Sequence, residues 1–399
     1  MNILFLTIVS IEDINERGIY TDLVRELAKE HSVFVVTPRE RRTGFATMVE
    51  KVGNITLLKV KTGNITKTKS LVEKGISTLL VEYQYEWAIN KYFGQIKFDL
   101  VLYSTPPITF NRIIKKIKKK HSCRSYLLLK DIFPQNAVDI GLMKINSLLH
   151  RFFRNKEREL YRLSDKIGCM SPANVKYVLE HNPEIAKDKL EVFPNCIEPI
   201  ERFDKSQVDR EILERYNIPS DKVLFVYGGS LGKPQGIDFL LEVIGEFKHV
   251  ENAFLLIVGD GTEYSKVFNY INRAKPINVM LLKMLPKKDY DELLKCSDVG
   301  LIFLDKRFTI PNFPCRLTAY LENYMPLIAA TDVNTDLPDI INKEKIGYCC
   351  ESSNVSEFIK LIQKMVCNKE QFCVMRDSSR FCLENNFILS DEIISLIIK

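Results

Sequence analysis

The stretch Lys222-Val223-Leu224-Phe225-Val226-Tyr227-Gly228-Gly229-Ser230-Leu231-Gly232-Lys233-Pro234-Gln235-Gly236 decides the fold. Its first part is a continuous apolar run rich in β-branched and aromatic residues, which suits a parallel strand buried on both faces. The run breaks into glycines, and Gly236 opens a helix. A strand delivered through a glycine-rich turn into a helix is half of a βαβ unit. Glycine in such a turn lets the backbone approach a ligand closely, and the amides at the start of the helix attract phosphate. The plainer reading is that βα turns need glycine in any case.

The same alternation extends in both directions. Downstream, Phe254-Leu255-Leu256-Ile257-Val258 runs into Gly259-Asp260-Gly261, and Val279 to Leu282, Val299 to Phe303 and Leu327-Ile328-Ala329 follow with helices between. Upstream, the run Ile3 to Val9 leads to Gly18, which opens a helix with Ile19, Leu23, Val24 and Leu27 at helical spacing. Val33 to Thr37, Leu57 to Val60, Leu100 to Tyr103, Ser125 to Leu129 and Lys166 to Met170 supply further strands. Repeated β–α alternation in two sets predicts an α/β chain of two Rossmann-like, doubly wound parallel sheets. Pro194 and Pro199 interrupt the periodicity. We therefore expect one domain over 1–198, a second over 199–375, and a terminal helix over 376–399 that packs back on the first domain. Two such domains facing each other would place their strand C-termini around one cleft, where open α/β sheets bind ligands.

Composition narrows the class. The 399 residues are 46% hydrophobic and 27% charged, with a formal charge of +6. A chain this long divides into domains, and the mild basicity allows an anionic ligand or membrane without requiring nucleic acid. The 10 cysteines are scattered, with no Cys-x-x-Cys pair, and the 5 histidines lack ligand spacing. This predicts a reducing compartment and neither a disulfide framework nor a zinc site. The start lacks the basic region of a signal peptide, and no apolar run reaches the roughly 20 residues of a membrane span. Cytoplasmic placement follows as an expectation.

Four features carry candidate chemistry. Gly229, Ser230, Gly232 and Lys233, with Gly259, Asp260 and Gly261 after the next strand and Gly18 after the first, are candidate phosphate contacts. The segment from Arg307 through Pro311, Asn312, Phe313 and Pro314 to Arg316 contains two prolines, so it cannot be a helix interior. It leads into an apparent helix, which puts Arg316 where it could clamp a diphosphate with two hydrogen bonds. The alternative is an arginine paired to a surface carboxylate. Asp131, just past the strand Ser125 to Leu129, is a candidate substrate contact or a helix N-cap. Finally, the acid-free run Arg112 to Arg124, with Lys118, Lys119 and Lys120, and a second cluster around Phe152 and Phe153 suggest docking on an anionic membrane. The alternative there is a solvated helix face.

On these residues the chain resembles a family-four, GT-B glycosyltransferase of the class that builds bacterial surface polysaccharides. Asp131-Ile132-Phe133-Pro134 is similar to that family's acceptor-side motif. Ser171-Pro172-Ala173-Asn174 and Val192-Phe193-Pro194-Asn195 look like the end of its first domain. Gly228 to Gly236 resembles its donor diphosphate loop. Pro314-Cys315-Arg316, Tyr320 and Pro326-Leu327-Ile328-Ala329 resemble its second donor loop and helix. A narrower resemblance, through Arg307 to Arg316 and Thr331 to Asp336, is to transferases for N-acetylated amino deoxysugars such as N-acetylfucosamine.

The resemblance implies retaining transfer from a nucleotide sugar, expected to be UDP-linked and N-acetylated, to a lipid-linked saccharide, with the first domain binding the acceptor and the second the donor. It also implies no metal, no cofactor and no nucleic-acid partner, with the enzyme peripheral on the inner membrane face. Asp131, Lys233 and Arg316 would be its catalytic set. Two departures stand out. The family's paired glutamates fall on Pro311 and Ala319, so Glu322, one turn on, is the candidate for the ribose contact. The lysine before the helix glycine is Gln235. Asp289-Tyr290-Asp291 is read as the acidic start of a helix rather than a metal site. A nucleotide-sugar epimerase of the same fold and a non-catalytic partner subunit are the competing functions.

Overall fold

The computed structural model describes residues 1–65 and 71–399. The chain divides into two compact units, 1–198 with 389–399, and 199–388. Each holds one mainly parallel sheet, so the α/β class with two Rossmann-like domains stands.

The first unit contains strands β1 (Asn2–Leu6), β2 (Ser32–Glu40), β3 (Met48–Val52), β4 (Ile55–Thr62), β5 (Leu100–Ser104), β6 (Arg124–Leu129), β7 (Lys166–Cys169) and β8 (Leu190–Val192). Its helices are α1 (Ile19–Leu27), α2 (Leu71–Phe93), α3 (Asn111–His121), α4 (Gln135–Asp139), α5 (Leu148–Leu163) and α6 (Pro172–His181). The strand order is β3-β4-β2-β1-β5-β6-β7-β8. In register, Phe5 lies beside Val35 on one side and Leu102 on the other. These central strands are buried on both faces, which is why they read as unbroken apolar runs. Tyr20, Leu23, Val24 and Leu27 of α1 close one face over Ile3, Phe5, Val33 and Leu100. The antiparallel β3 was not anticipated. Its signal was the turn Gly53-Asn54, with Gly53 at φ 57°.

The second unit contains α7 (Glu211–Arg215), β9 (Val223–Ser230), α8 (Ile237–Phe247), β10 (Ala253–Asp260), α9 (Tyr264–Ala274), β11 (Val279–Leu282), α10 (Lys287–Cys296) and β12 (Val299–Phe303). It continues through α11 (Arg316–Glu322), β13 (Leu327–Thr331), α12 (Leu337–Glu344), β14 (Gly347–Glu351), α13 (Val355–Cys367) and α14 (Lys369–Asn386). The order is β11-β10-β9-β12-β13-β14, so the stretch quoted first is central. Phe225, Tyr227, Leu240, Val243, Leu255, Ile257 and Phe303 form its core with α8 and α13.

The terminal segment departs from expectation. Residues 376–388 stay with the second unit, because α14 is continuous from Lys369 and buries Cys382 and Leu383 there. Arg380 also holds the backbone of Ile200 and Glu322. Only the last helix, α15 (Asp391–Ile398), joins the first unit, where Ile397 enters the core.

Candidate functional site

The C-terminal rim of the second sheet carries a cation without a counter-ion. β9 runs further than expected, through Gly228 and Gly229 to Ser230. Gly229 adopts φ 130°, a region that excludes most side chains, and a Cβ there would stand 3.3 Å from Nη2 of Arg316. Arg316 begins α11, and its guanidinium carbon lies 4.4 Å from the centre of the Tyr227 ring. Nη1 is buried and has no hydrogen-bond partner. Among the described residues no carboxylate pairs with Arg316; tyrosines and Cys315 surround it. The carboxylate-paired alternative is thereby removed. A buried guanidinium group that lacks an anion is costly unless a ligand supplies one.

Three tyrosines frame this arginine, and sequence reasoning assigned none of them a role. Tyr227 donates to the Ser230 carbonyl at 2.7 Å. Tyr320 accepts from the Gly228 amide at 3.0 Å, and burial pushes its phenol up to about 12. Tyr290 lies against the bare Cα of Gly228, since a Cβ there would fall 1.7 Å from its hydroxyl oxygen. Burial raises its pKa, so its hydroxyl stays protonated and able to donate. Only the helical spacing of Tyr290 and the strand register of Gly228 link the two, and neither is visible as a motif.

Around this centre Gly229, Ser230, Lys233, Asp260 and Gly261 are exposed along the rim. Lys233 has no ion pair among the described residues. The backbone cradle is thinner than expected. The Gly232 amide is taken by the Gln235 side chain at 3.2 Å, and the Gly261 amide by Asp260 at 2.8 Å. Gly259 and Gly261 are glycines because the backbone at the end of β9 and just beyond it fills their space. Cβ atoms there would lie 1.9 Å from the Gly229 carbonyl and 2.3 Å from that of Leu231.

Two expected donor contacts are corrected. Phe313 is buried and packs against Phe387 at 6.0 Å, so its ring anchors the loop. The neighbouring Asn312 is half-buried, and its carbonyl accepts from the Thr335 hydroxyl at 2.8 Å. Glu322 is 5% exposed and accepts the Ile200 amide at 2.7 Å. It also sits six residues beyond Arg316, about 9 Å along the helix at about 1.5 Å per residue. The ribose role therefore has no carboxylate at Ala319 and none from Glu322. The carboxylates of Asp289-Tyr290-Asp291 part company. Asp289 pairs with Arg215 and accepts from Tyr216, while Asp291 pairs with Lys287.

In the first unit Asp131 follows β6. It is not a helix N-cap, since Pro134 holds that position for α4. Both carboxylate oxygens accept from Asn136 Nδ2 at 2.7 Å. Burial outweighs these bonds and pushes its pKa up to about 6. The Gly18 amide, a candidate donor contact, is taken by Asp22 at 3.0 Å.

The basic cluster is reorganised. Lys118 caps the end of α5, with bonds to the Leu163 carbonyl, Ser125 and Asp165. Lys120 bonds the Gly94 carbonyl. Consecutive residues fan over about 200° of a helix, so Lys118, Lys119 and Lys120 cannot share a face. Phe153 packs edge-on against Phe133 at 5.0 Å, whereas Phe152 remains exposed. Among the described residues no helix is long and apolar enough to cross a membrane.

Residues 208–379 match the family model described as Glycosyl transferases group 1. The chain is similar to the "Probable glycosyltransferase WbjE" of Pseudomonas aeruginosa, 25% identical over 278 residues. That alignment covers 67% of this chain and 66% of the relative, so the chain spans just under two thirds of the relative's length. A second relative is the "Putative colanic acid biosynthesis glycosyl transferase WcaI" of Escherichia coli strain K12, 21% identical over 305 residues, covering 73% of this chain and 72% of the relative. Among solved structures, Anabaena Alr3699/HepE in complex with UDP-glucose superposes with a TM-score of 0.68 at 13% identity, covering 100% of this chain and 98% of that one. The fold is GT-B, and residues 208–379 carry a glycosyl transferase group 1 domain.

Proposed function

We propose that this glycosyltransferase takes a sugar from a UDP-linked, N-acetylated donor and transfers it, with retention, to a lipid-linked saccharide during synthesis of a bacterial surface polysaccharide. The observation that carries the reading is Arg316, a guanidinium group with a buried, unpartnered Nη1 at the rim of β9. An anionic diphosphate is the group that completes it. The UDP-glucose bound by the structural neighbour supports the donor class, and the colanic acid biosynthesis named for one relative supports the polysaccharide.

In the transfer, the bond from the anomeric carbon to the diphosphate oxygen breaks, and its electron pair leaves with the diphosphate. The acceptor hydroxyl oxygen forms the new bond on the same face, and its proton passes to the departing phosphate. Arg316 and Lys233 stabilise the charge that grows on the leaving group. They act in the role a divalent ion often fills, so turnover should survive excess chelator. Asp131 in the first unit holds the acceptor hydroxyl. Pro311 and Ala319 offer no side-chain acceptor for sugar hydroxyls, which favours a donor bearing deoxy and acetamido positions.

Arg316→Ala tests the reading. Loss of a charge-assisted bond worth roughly 1.5–3 kcal/mol should weaken UDP-sugar binding, measured by calorimetry, by about one to two decades. Unchanged affinity in a folded variant removes Arg316 from the site. Because Glu322 is committed to Ile200, a second reading as a non-catalytic partner subunit stays in view. It predicts no measurable binding of UDP, GDP or dTDP sugars by the wild-type chain.

A further inference from the structure

The helix that carries Arg316 is short. α11 has 7 residues, too few to stay helical in water without help from outside. Cys315, at its N-terminal boundary, offers no side-chain cap. The help lies at the other end, where the last carbonyls of a helix lack partners and cations are favoured. Two cations meet α11 there. Arg380 of α14 donates Nη1 to the Glu322 carbonyl at 3.1 Å, Nη2 to the Ile200 carbonyl at 2.7 Å and Nε to Glu384 at 2.9 Å. It is 4% exposed, and its planar fork makes it a fixed bracket. Lys205 donates Nζ to the Asn323 carbonyl at 2.6 Å. Beyond these bonds the chain turns away at Tyr324, whose φ is 56°.

Lys205 is the less expected of the two. The Asn323 carbonyl is its hydrogen-bond partner, and it has no ion pair among the described residues. Four titratable or charged groups face its ammonium group: Asp298 just before β12, Arg376 of α14, Cys296 at the end of α10 and Arg210 just before α7. Asp298 is already paired with Arg376 at 2.6 Å. Burial pushes Lys205 down to about 7, with Arg376 and Arg210 pressing the same way and Asp298 and Cys296 opposing. A buried ammonium group without an ion pair is costly. The bond it makes there is the one to the end of α11.

We propose that Lys205 is a positioning residue for the diphosphate clamp: its ammonium group, with Arg380, holds the C-terminal end of α11 and so sets where Arg316, in the first turn, presents its guanidinium group. This deepens, and rests on, the reading of Arg316 as the donor diphosphate contact. The backbone hydrogen bonds of α11 make it a stiff lever about 9 Å long between Arg316 and Glu322. A tilt of about 6° at the held end moves the first turn by about 1 Å. A misplacement of about 1 Å is enough to weaken a contact that depends on alignment. The charged ammonium group bonds a carbonyl more strongly than the neutral amine does. The hold therefore weakens as pH rises through about 7, and UDP binding weakens with it.

Calorimetry with UDP tests this on the full-length chain. Wild type, Lys205→Met and Lys205→Arg are compared at about pH 6 and about pH 8.5, on either side of the Lys205 titration. The first substitution removes the charge and keeps most of the stem; the second keeps a charge that does not titrate. Circular dichroism melts select a temperature at which all three are folded. The ionisation of UDP is common to all three, so the ratios of Kd report Lys205. Lys205→Met should bind UDP about three- to tenfold more weakly than wild type at the lower pH, with a smaller ratio at the higher. Lys205→Arg should match wild type at the lower pH and bind more tightly than it at the higher. Undiminished binding by folded Lys205→Met, a ratio that is the same at both pH values, or a loss that Lys205→Arg shares would each overturn the inference and leave Lys205 as a packing residue. No UDP binding by the wild type would refute the donor reading and the inference with it. Intact wild-type binding with any of the other three outcomes refutes the inference alone.

Discussion

Asp131 offers the sharpest physical prediction, because its carboxylate is held where water is scarce. Its pKa rises from 3.8 to about 6 through burial, against the opposing bonds from Asn136 and the Ile132 amide. The folded state thus binds the Asp131 proton more tightly than the unfolded chain does. Its contribution to stability is fully present below about pH 3.8 and is lost as pH rises to about 6. About two pK units at about 1.4 kcal/mol each make that loss about 3 kcal/mol above pH 6. Asp131→Asn removes the titration and keeps the shape. Its amide can still accept from Asn136 Nδ2 and could donate to Asn136 Oδ1, which is buried without a partner. Urea unfolding followed by Trp87, which lies in the same unit, should show the variant gaining about 2–3 kcal/mol on the wild type between about pH 4 and about pH 7.5. Transfer activity should fall at the same time, as expected of a group held in a costly state for function. A stability difference that is the same at both pH values would refute the desolvated carboxylate. A variant with full activity would remove Asp131 from the acceptor site.

Three further outcomes follow from the geometry. Gly229→Ala places a methyl group at φ 130° against Arg316 and should cost about 1–3 kcal/mol of stability while weakening UDP-sugar binding; thermal unfolding and calorimetry read the two effects. Tyr290→Phe should leave the melting temperature within a few degrees and weaken UDP binding about ten- to hundredfold if the hydroxyl donates to the diphosphate; unchanged binding would make Tyr290 a packing residue only. Glu322→Ala strands the half-buried Ile200 amide and should destabilise by about 1 kcal/mol with no change in donor KM at a temperature where it is folded; a raised KM with normal stability would restore Glu322 to the ribose.

Local sequence was enough for the architecture. A strand buried on both faces needs a short unbroken apolar run, and the turn after it needs glycine. Both signals sit within a dozen residues, so β9, β10, β12 and their turns could be read directly, as could Arg316 at the start of α11. The edge strands β3 and β8 were harder. β8 spans three residues and β3 is half-exposed, so neither carries the buried-strand pattern. What the residues do was decided by partners distant in sequence. Glu322 is spent on Ile200 and Phe313 on Phe387, 122 and 74 positions away. Lys118 is spent on Leu163 and Asp165. A charged or aromatic side chain reads alike whether it faces a ligand or fills a hydrogen-bond vacancy in its own fold. Only the packed structure shows that Arg316 lacks an anion, that Tyr290 rests on Gly228, and that Lys205 bonds the far end of α11.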